Sequence, residues 1–278
     1  MKKFWKLGAL FLSVLLLAMI VVACGGEGQH EEVGQQQEEK TEIKKIVVGT
    51  EPAFAPFEFK DENGEFVGFD IDLMKAIAKA QGLEVEFKGM GFDGLIPALQ
   101  VGQIDAAISG MTINEDRKEK VNFSIPYYES GLMLAVRADN EDIKGPEDLA
   151  GKVIAVQIGT TGAAKSEEFV EAYGAEVKTF NSSDLIFMEL INGGADVIIN
   201  DLPAIQYFIK QKGEGKIKLV GDLLTGEYYG IAIAKENIEL LDLINKGLMQ
   251  LKENGKYADI YRKWFAEDPP EYLPGEPK

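Results

Sequence analysis

The chain has 278 residues, 46% hydrophobic and 27% charged, with 46 acidic against 29 basic side chains and a formal net charge of −17. So acidic a balance argues against a nucleic-acid partner and against adsorption to anionic lipid. Cys24, the only cysteine, and His30, the only histidine, both lie near the N-terminus. Whatever folds after them therefore has no Ser-His-Asp or Cys-His catalytic set, no His-based zinc site and no disulfide framework, and no metal or cofactor is expected.

Lys2, Lys3 and Lys6 precede an apolar stretch from Leu7 to Ala23, and Val21-Val22-Ala23-Cys24 closes it. A basic n-region, an apolar core and small residues at the cut site make residues 1–23 a secretory signal peptide. A Cys directly after that site resembles the bacterial lipobox, so Cys24 is expected to carry lipid and become the new N-terminus. The protein is then placed outside the cytoplasm, in a periplasm or on the outer face of the cytoplasmic membrane, touching that membrane through its anchor. The alternative is an uncleaved anchor, since Leu7 to Ala23 approaches a bilayer-spanning length. Within residues 24–43, the tract up to Glu42 is rich in Gln and Glu, with Val33 its only large apolar side chain. Such a segment has nothing to bury and reads as an acidic flexible tether.

From Lys44 onward, β-branched runs alternate with helix-period segments, which predicts an α/β fold. Strands are predicted at 46–49, 85–87, 106–108, 132–136, 153–156, 197–199 and 230–234. Helices are predicted over 70–81, with acids in the first turn and Gly82 as stop, and over 163–173, 203–212 and 238–254, each ending at or near a Gly. The length after Lys44 favours two lobes. An internal echo supports them: residues 96–110 and 187–201 each read as helix, Gly stop, Asp and buried strand. The two strand ends carry Ser109-Gly110 and Asn200-Asp201, where open parallel sheets bind ligands.

On chemistry alone the charged residues have ordinary explanations. Arg117, in Glu115-Asp116-Arg117-Lys118, reads as part of a solvated helix face. Asp201, two residues before Pro203, reads as a helix N-cap. Phe54 and Phe92 read as core aromatics.

Six segments in order change that weighting: Pro56-Phe57-Glu58-Phe59, Gly68-Phe69-Asp70-Ile71-Asp72-Leu73, Gly94-Leu95-Ile96-Pro97-Ala98-Leu99, Ser109-Gly110-Met111-Thr112-Ile113 with Arg117, Phe123-Ser124-Ile125-Pro126-Tyr127-Tyr128, and Gly159-Thr160-Thr161. With them the chain resembles the solute-binding proteins of polar amino-acid ABC importers, which include glutamine, histidine and arginine binders. One departure is Gln81, where an apolar or small residue is usual. The resemblance implies a type II periplasmic binding protein fold, each lobe a sheet flanked by helices. Lobe 1 would span 44–131 plus 229–278 and lobe 2 would span 132–228, with hinges near Ser130-Gly131 and Tyr228-Tyr229. It further implies a monomer that passes a small polar amino acid to a membrane permease.

The same resemblance assigns roles. Arg117 would grip the ligand carboxylate through two parallel hydrogen bonds, helped by the Thr112 hydroxyl and by backbone amides around Thr112 and Thr161. Asp201 would hold the ammonium with the Ser109 carbonyl, and Gly110 and Thr160 belong to the same two segments. Phe54 and Phe92 would sandwich the ligand side chain. Glu51 stands where the glutamine binder has Asp and the arginine binder Glu; Gln157 stands where the glutamine binder has Lys and the arginine binder Gln. A carboxylate without a lysine favours a cationic or amide-donating side chain. Arginine or lysine is therefore expected ahead of glutamine.

Three further patterns carry little. Gly89 to Gly94 matches the dinucleotide fingerprint, but the following strand ends in Ser109-Gly110 rather than a ribose-binding acid. Residues 159–166 resemble a P-loop with Ala164 in place of Gly, and what survives is a Gly/Thr turn feeding a helix N-terminus suited to a small anion. Asp70 and Asp72 do not face each other on a helix. No catalytic residue is expected; the alternative is an enzyme on the same scaffold, a cyclohexadienyl dehydratase with Glu51 as general acid.

Overall fold

A computed structural model describes residues 44–271. The signal peptide, the tether, Cys24 and His30 lie outside the described residues, as do residues 272–278. Among the described residues no helix is long and apolar enough to cross a membrane.

The chain opens with β1 (Lys44–Thr50) and a small antiparallel sheet of β2 (Ala53–Phe54), β3 (Glu58–Lys60) and β4 (Phe66–Val67). Helix α1 (Phe69–Ala80) buries Phe69, Ile71, Leu73, Met74 and Ile77 on one face. Its first amides need no side-chain cap, because Phe69 N and Asp70 N donate to the carbonyls of Pro56 and Phe57 at 2.9 Å. Gln81 ends this helix and donates to Gln250 at 3.2 Å, so a polar contact replaces the apolar packing usual there. Then come β5 (Leu83–Gly89), α2 (Leu95–Gln100), β6 (Ala106–Ala107), the four-residue helix α3 (Glu115–Lys118) and β7 (Val121–Phe123).

After β8 (Tyr128–Ser130) the chain builds a second sheet. Its strands are β9 (Leu132–Arg137), β10 (Val153–Gln157), β11 (Glu176–Phe180), β12 (Val197–Asp201) and β13 (Ile217–Val220). Between them lie α4 (Thr161–Tyr173), α5 (Ser183–Ile191) and α6 (Leu202–Phe208). The helix expected over 203–212 changes pitch at its end, since Ile209–Gly213 form a π-turn. The chain returns through β14 (Glu227–Tyr229) and β15 (Ala232–Ala234), then closes with α7 (Ile238–Glu253) and α8 (Lys256–Phe265). Gly230 and Ile231, expected in β15, leave the ladder because their amides donate to Met111 O (3.0 Å) and Ser124 Oγ (2.9 Å).

The two large sheets share one topology. The first runs β5-β1-β6-β15-β7 and the second β11-β10-β12-β9-β13; in each, the first three strands are parallel and the last two antiparallel to their neighbours. The internal echo is the middle of each sheet. Asp105 accepts from Val47 N at 2.7 Å and Asp196 accepts from Val153 N at 2.8 Å, so the same carboxylate pins the neighbouring parallel strand in both lobes. Between the lobes, β8 and β14 pair as a two-stranded antiparallel ribbon, with Glu227 opposite Ser130 and Tyr229 opposite Tyr128. Phe57 anchors this junction, its ring 4.9 Å from Tyr128 and 5.2 Å from Tyr229. Burying each such ring contributes about 1.5–3 kcal/mol.

Candidate functional site

The carboxyl ends of β1, β6, β10 and β12 converge on one cavity. Every ligand-contact candidate named from the sequence lines it: Glu51, Phe54, Phe92, Ser109, Gly110, Thr112, Arg117, Gln157, Thr160, Thr161 and Asp201. Two more lining residues, Glu58 and Asn200, had no assigned role.

Arg117 departs from the solvated-face expectation. Its neighbours Glu115, Asp116 and Lys118 are exposed, whereas Arg117 turns inward and is 8% exposed. Asn114 makes this local geometry by capping α3, its Oδ1 accepting from Arg117 N at 2.9 Å. The guanidinium lies over the Phe92 ring at 5.2 Å. Nη1 donates to Thr112 O at 2.7 Å and Nη2 to Gly159 O at 3.1 Å, the latter a bond from one lobe to the other. A guanidinium carries five N–H donors, so donors remain for an anion in the cavity. Burial lowers the Arg117 pKa, and the charges of Glu227 and Asp201 oppose that shift.

Thr112 differs from its expected role. Its hydroxyl donates to Glu227 Oε2 at 2.5 Å, and a hydroxyl has one proton, so it has none left for a ligand carboxylate. Thr161 donates to the same oxygen at 3.0 Å. What this corner offers an anion is Arg117 and the first amides of α4. Thr160 caps that helix, its Oγ1 accepting from Ala163 N at 3.1 Å, while the amides of Thr161 and Gly162 have no intrahelical acceptor.

Asp201 occupies the N-cap position of α6 but makes no cap hydrogen bond. Instead Oδ1 accepts from Tyr229 OH at 2.5 Å and from Ser130 Oγ at 2.9 Å, and Oδ2 has no donor among the described residues. Burial pushes its carboxyl up to about 7, with the Glu227 charge adding to the shift and the hydrogen bonds from Tyr229 and Ser130 opposing it. Tyr229 stays a protonated donor, its pKa raised by burial and by Asp201. A second charge such as an ammonium at Oδ2 would restore the ionised form.

At the other end Glu51 is 4% exposed, and burial pushes its carboxyl up to about 7; the Gln157 hydrogen bond opposes this and Asp184 adds to it. Phe54 stacks on Phe57 at 5.4 Å. Gly110 permits that placement: its φ is +50° and a Cβ there would sit 2.5 Å from the Phe54 ring. Phe92 lines the cavity but lies under Arg117, so of the expected aromatic pair it also braces the cation.

Behind Ser109 and Gly110 lies a buried acid pair that sequence reasoning missed as such. Ser109 Oγ donates to Glu58 Oε1 at 2.6 Å and accepts from Glu51 N at 3.0 Å. Asp70 Oδ2 accepts from Gly110 N at 2.9 Å and from Tyr127 OH at 2.7 Å. Burial first, then the Asp70 charge, raises the Glu58 carboxyl well above the usual carboxylate range. Asp72, two residues on, faces α8 and accepts from Lys263 (2.6 Å) and Trp264 (2.8 Å).

The model of the bacterial extracellular solute-binding proteins, family 3, matches residues 46–267. The chain belongs to that family. Among its relatives is the probable histidine-binding protein of Neisseria gonorrhoeae, 35% identical over 96% of this chain and 97% of the relative. A solved ancestral arginine-binding protein bound to arginine is 49% identical, with a TM-score of 0.77 over 80% of this chain and 98% of its own. An ancestral arginine-binding protein bound to glutamine is 48% identical, with a TM-score of 0.77 over 81% of this chain and 100% of its own. The two-lobed binding-protein fold expected of this family member is the fold observed.

Proposed function

We infer that the protein captures one polar L-amino acid in the cavity between its lobes and delivers it to an ABC permease. The lobes are assigned as 44–131 with 229–278, and 132–228, bending where β8 and β14 join them. Lipid on Cys24 would hold the molecule at the membrane, and it would act as a monomer. One observation carries the reading. Arg117 and Asp201 belong to different lobes, are both buried, and keep unengaged valences within one cavity. Arg117 and the α4 amides suit an α-carboxylate. Asp201 Oδ2, with the Ser109 carbonyl that accepts no bond among the described residues, suits an α-ammonium. A ligand bridging both would favour the closed state.

Glu51 and Gln157 line the cavity and no lysine does, which favours arginine or lysine over glutamine. The related arginine- and glutamine-bound structures accommodate both choices. Calorimetry on protein refolded to remove carried-over solute, against a panel of amino acids, tests the reading. Tight binding of a basic or amide amino acid, abolished by Arg117→Ala and by Asp201→Ala, is expected; a flat panel would refute it. Glu51, like Asp201 raised to about 7, fits a general acid. Spectrophotometric turnover of prephenate or arogenate would establish that second reading.

A further inference from the structure

We propose that Glu227, on the strand joining the lobes, is a positioning residue that latches the carboxylate-binding corner together when the lobes close. The inference rests on the proposed binding of an amino acid between them. Glu227 is 6% exposed, lies outside the cavity lining, and has a hydroxyl on each side. Oε2 accepts from Thr112 of the first lobe at 2.5 Å and from Thr161 of the second at 3.0 Å, while Oε1 accepts from Thr225 at 3.1 Å. Thr225 is fixed in turn, its Oγ1 accepting from Leu132 N at 3.0 Å.

The chemistry of this arrangement is specific. A carboxylate is a pure acceptor and takes both hydroxyls on one oxygen, a bond stronger than one between neutral groups. Thr112 and Thr161 are then held with their backbones beside Arg117, whose guanidinium already bridges Thr112 O and Gly159 O. The Glu227 charge also supports the buried Arg117 cation. Glu227 thus acts on the ligand through the groups that touch it. Two residues on, Tyr229 does the equivalent for the other corner by donating to Asp201. Period-two alternation along β14 places both side chains on one face of the hinge ribbon.

With Glu227 in the second lobe, the Thr112 bond is the one that forms between lobes, so its contribution belongs to the closed, ligand-bound state. Thr112→Val should weaken binding of the best amino acid about ten-fold or more, chiefly by faster release. Thr112→Ser should restore affinity, and neither change should move the ligand-free unfolding midpoint. Glu227→Ala should weaken binding at least as much. Because both variants break one contact, the double variant should bind within about three-fold of the weaker single variant. Glu227→Gln, which keeps a carbonyl acceptor, should recover part of the loss. Fully additive effects, or Thr112→Val binding like wild type, would overturn the latch while leaving amino-acid binding intact. A wild-type protein that binds no amino acid overturns the functional reading and the latch with it. Should Glu227→Ala fail to fold, the Thr112 Val/Ser pair decides alone.

Discussion

Arg117 and Gly159 are joined across the cleft: guanidinium Nη2 donates to the Gly159 carbonyl at 3.1 Å. The approach is close because Gly159 has φ +79° and a Cβ placed there would lie 3.0 Å from the Asp93 Cβ. Gly159→Ala should therefore act twice. The left-handed backbone costs about 1–2 kcal/mol in any state, lowering the ligand-free unfolding midpoint. The clash with Asp93 weakens ligand affinity beyond that, since it arises only when the lobes meet. Paired unfolding and calorimetry on one variant would separate the two; an unchanged affinity would mean that this contact plays no part in closure.

Arg117→Lys should fail to rescue Arg117. One ammonium cannot donate to Thr112 O and Gly159 O and also grip a carboxylate through two parallel bonds. Loss of affinity of about a hundred-fold is expected for Lys and more for Ala, read by calorimetry. Lysine binding within a few-fold of wild type would show that the guanidinium geometry is not used.

Affinity should rise with pH. In the ligand-free protein the carboxyls of Asp201 and Glu51 are both raised to about 7, by burial first. Their folded values exceed the unfolded ones, so their burial costs little below about pH 4 and increasingly destabilises the ligand-free fold up to about pH 7. A bound ammonium or guanidinium favours the ionised forms and releases protons on binding. The thermal shift produced by arginine should then grow between pH 5.5 and 8, and calorimetry in buffers of different ionisation enthalpy should register proton release. A shift independent of pH over that window would exclude ion pairing to these two carboxyls.

Glu51→Gln should change selectivity more than stability. Removing the carboxyl opposite Gln157 should weaken arginine and lysine about ten-fold or more while glutamine binding changes little. Competition between arginine and glutamine measures this directly, and parallel losses for both would place Glu51 away from the ligand side chain.

The residues differ in how far their roles could be read in advance. Many strand and helix positions followed from hydrophobic period, and the echo between residues 96–110 and 187–201 marks matching units in the two large sheets, whereas α8 (Lys256–Phe265) was not foreseen. The strands Glu176–Phe180 and Ile217–Val220 were missed because edge strands carry charges that dilute the pattern. Arg117 was legible only by resemblance, since its sequence neighbours are charged and exposed; burial comes from one Asn114 cap turning it inward. Glu227 was missed altogether. Flanked by Gly226, it looks like a loop charge, and only pairing with Ser130 across the hinge ribbon buries it. The available signal was its alternation with Tyr228 and Tyr229, a polar residue at an inward position.

The most direct test is a crystal structure of the protein with its tightest-binding amino acid. The ligand carboxylate should lie within hydrogen-bond distance of Arg117 and the first amides of α4, with its ammonium against Asp201 Oδ2. A ligand whose head group lies elsewhere, leaving Arg117 and Asp201 untouched, would contradict the account.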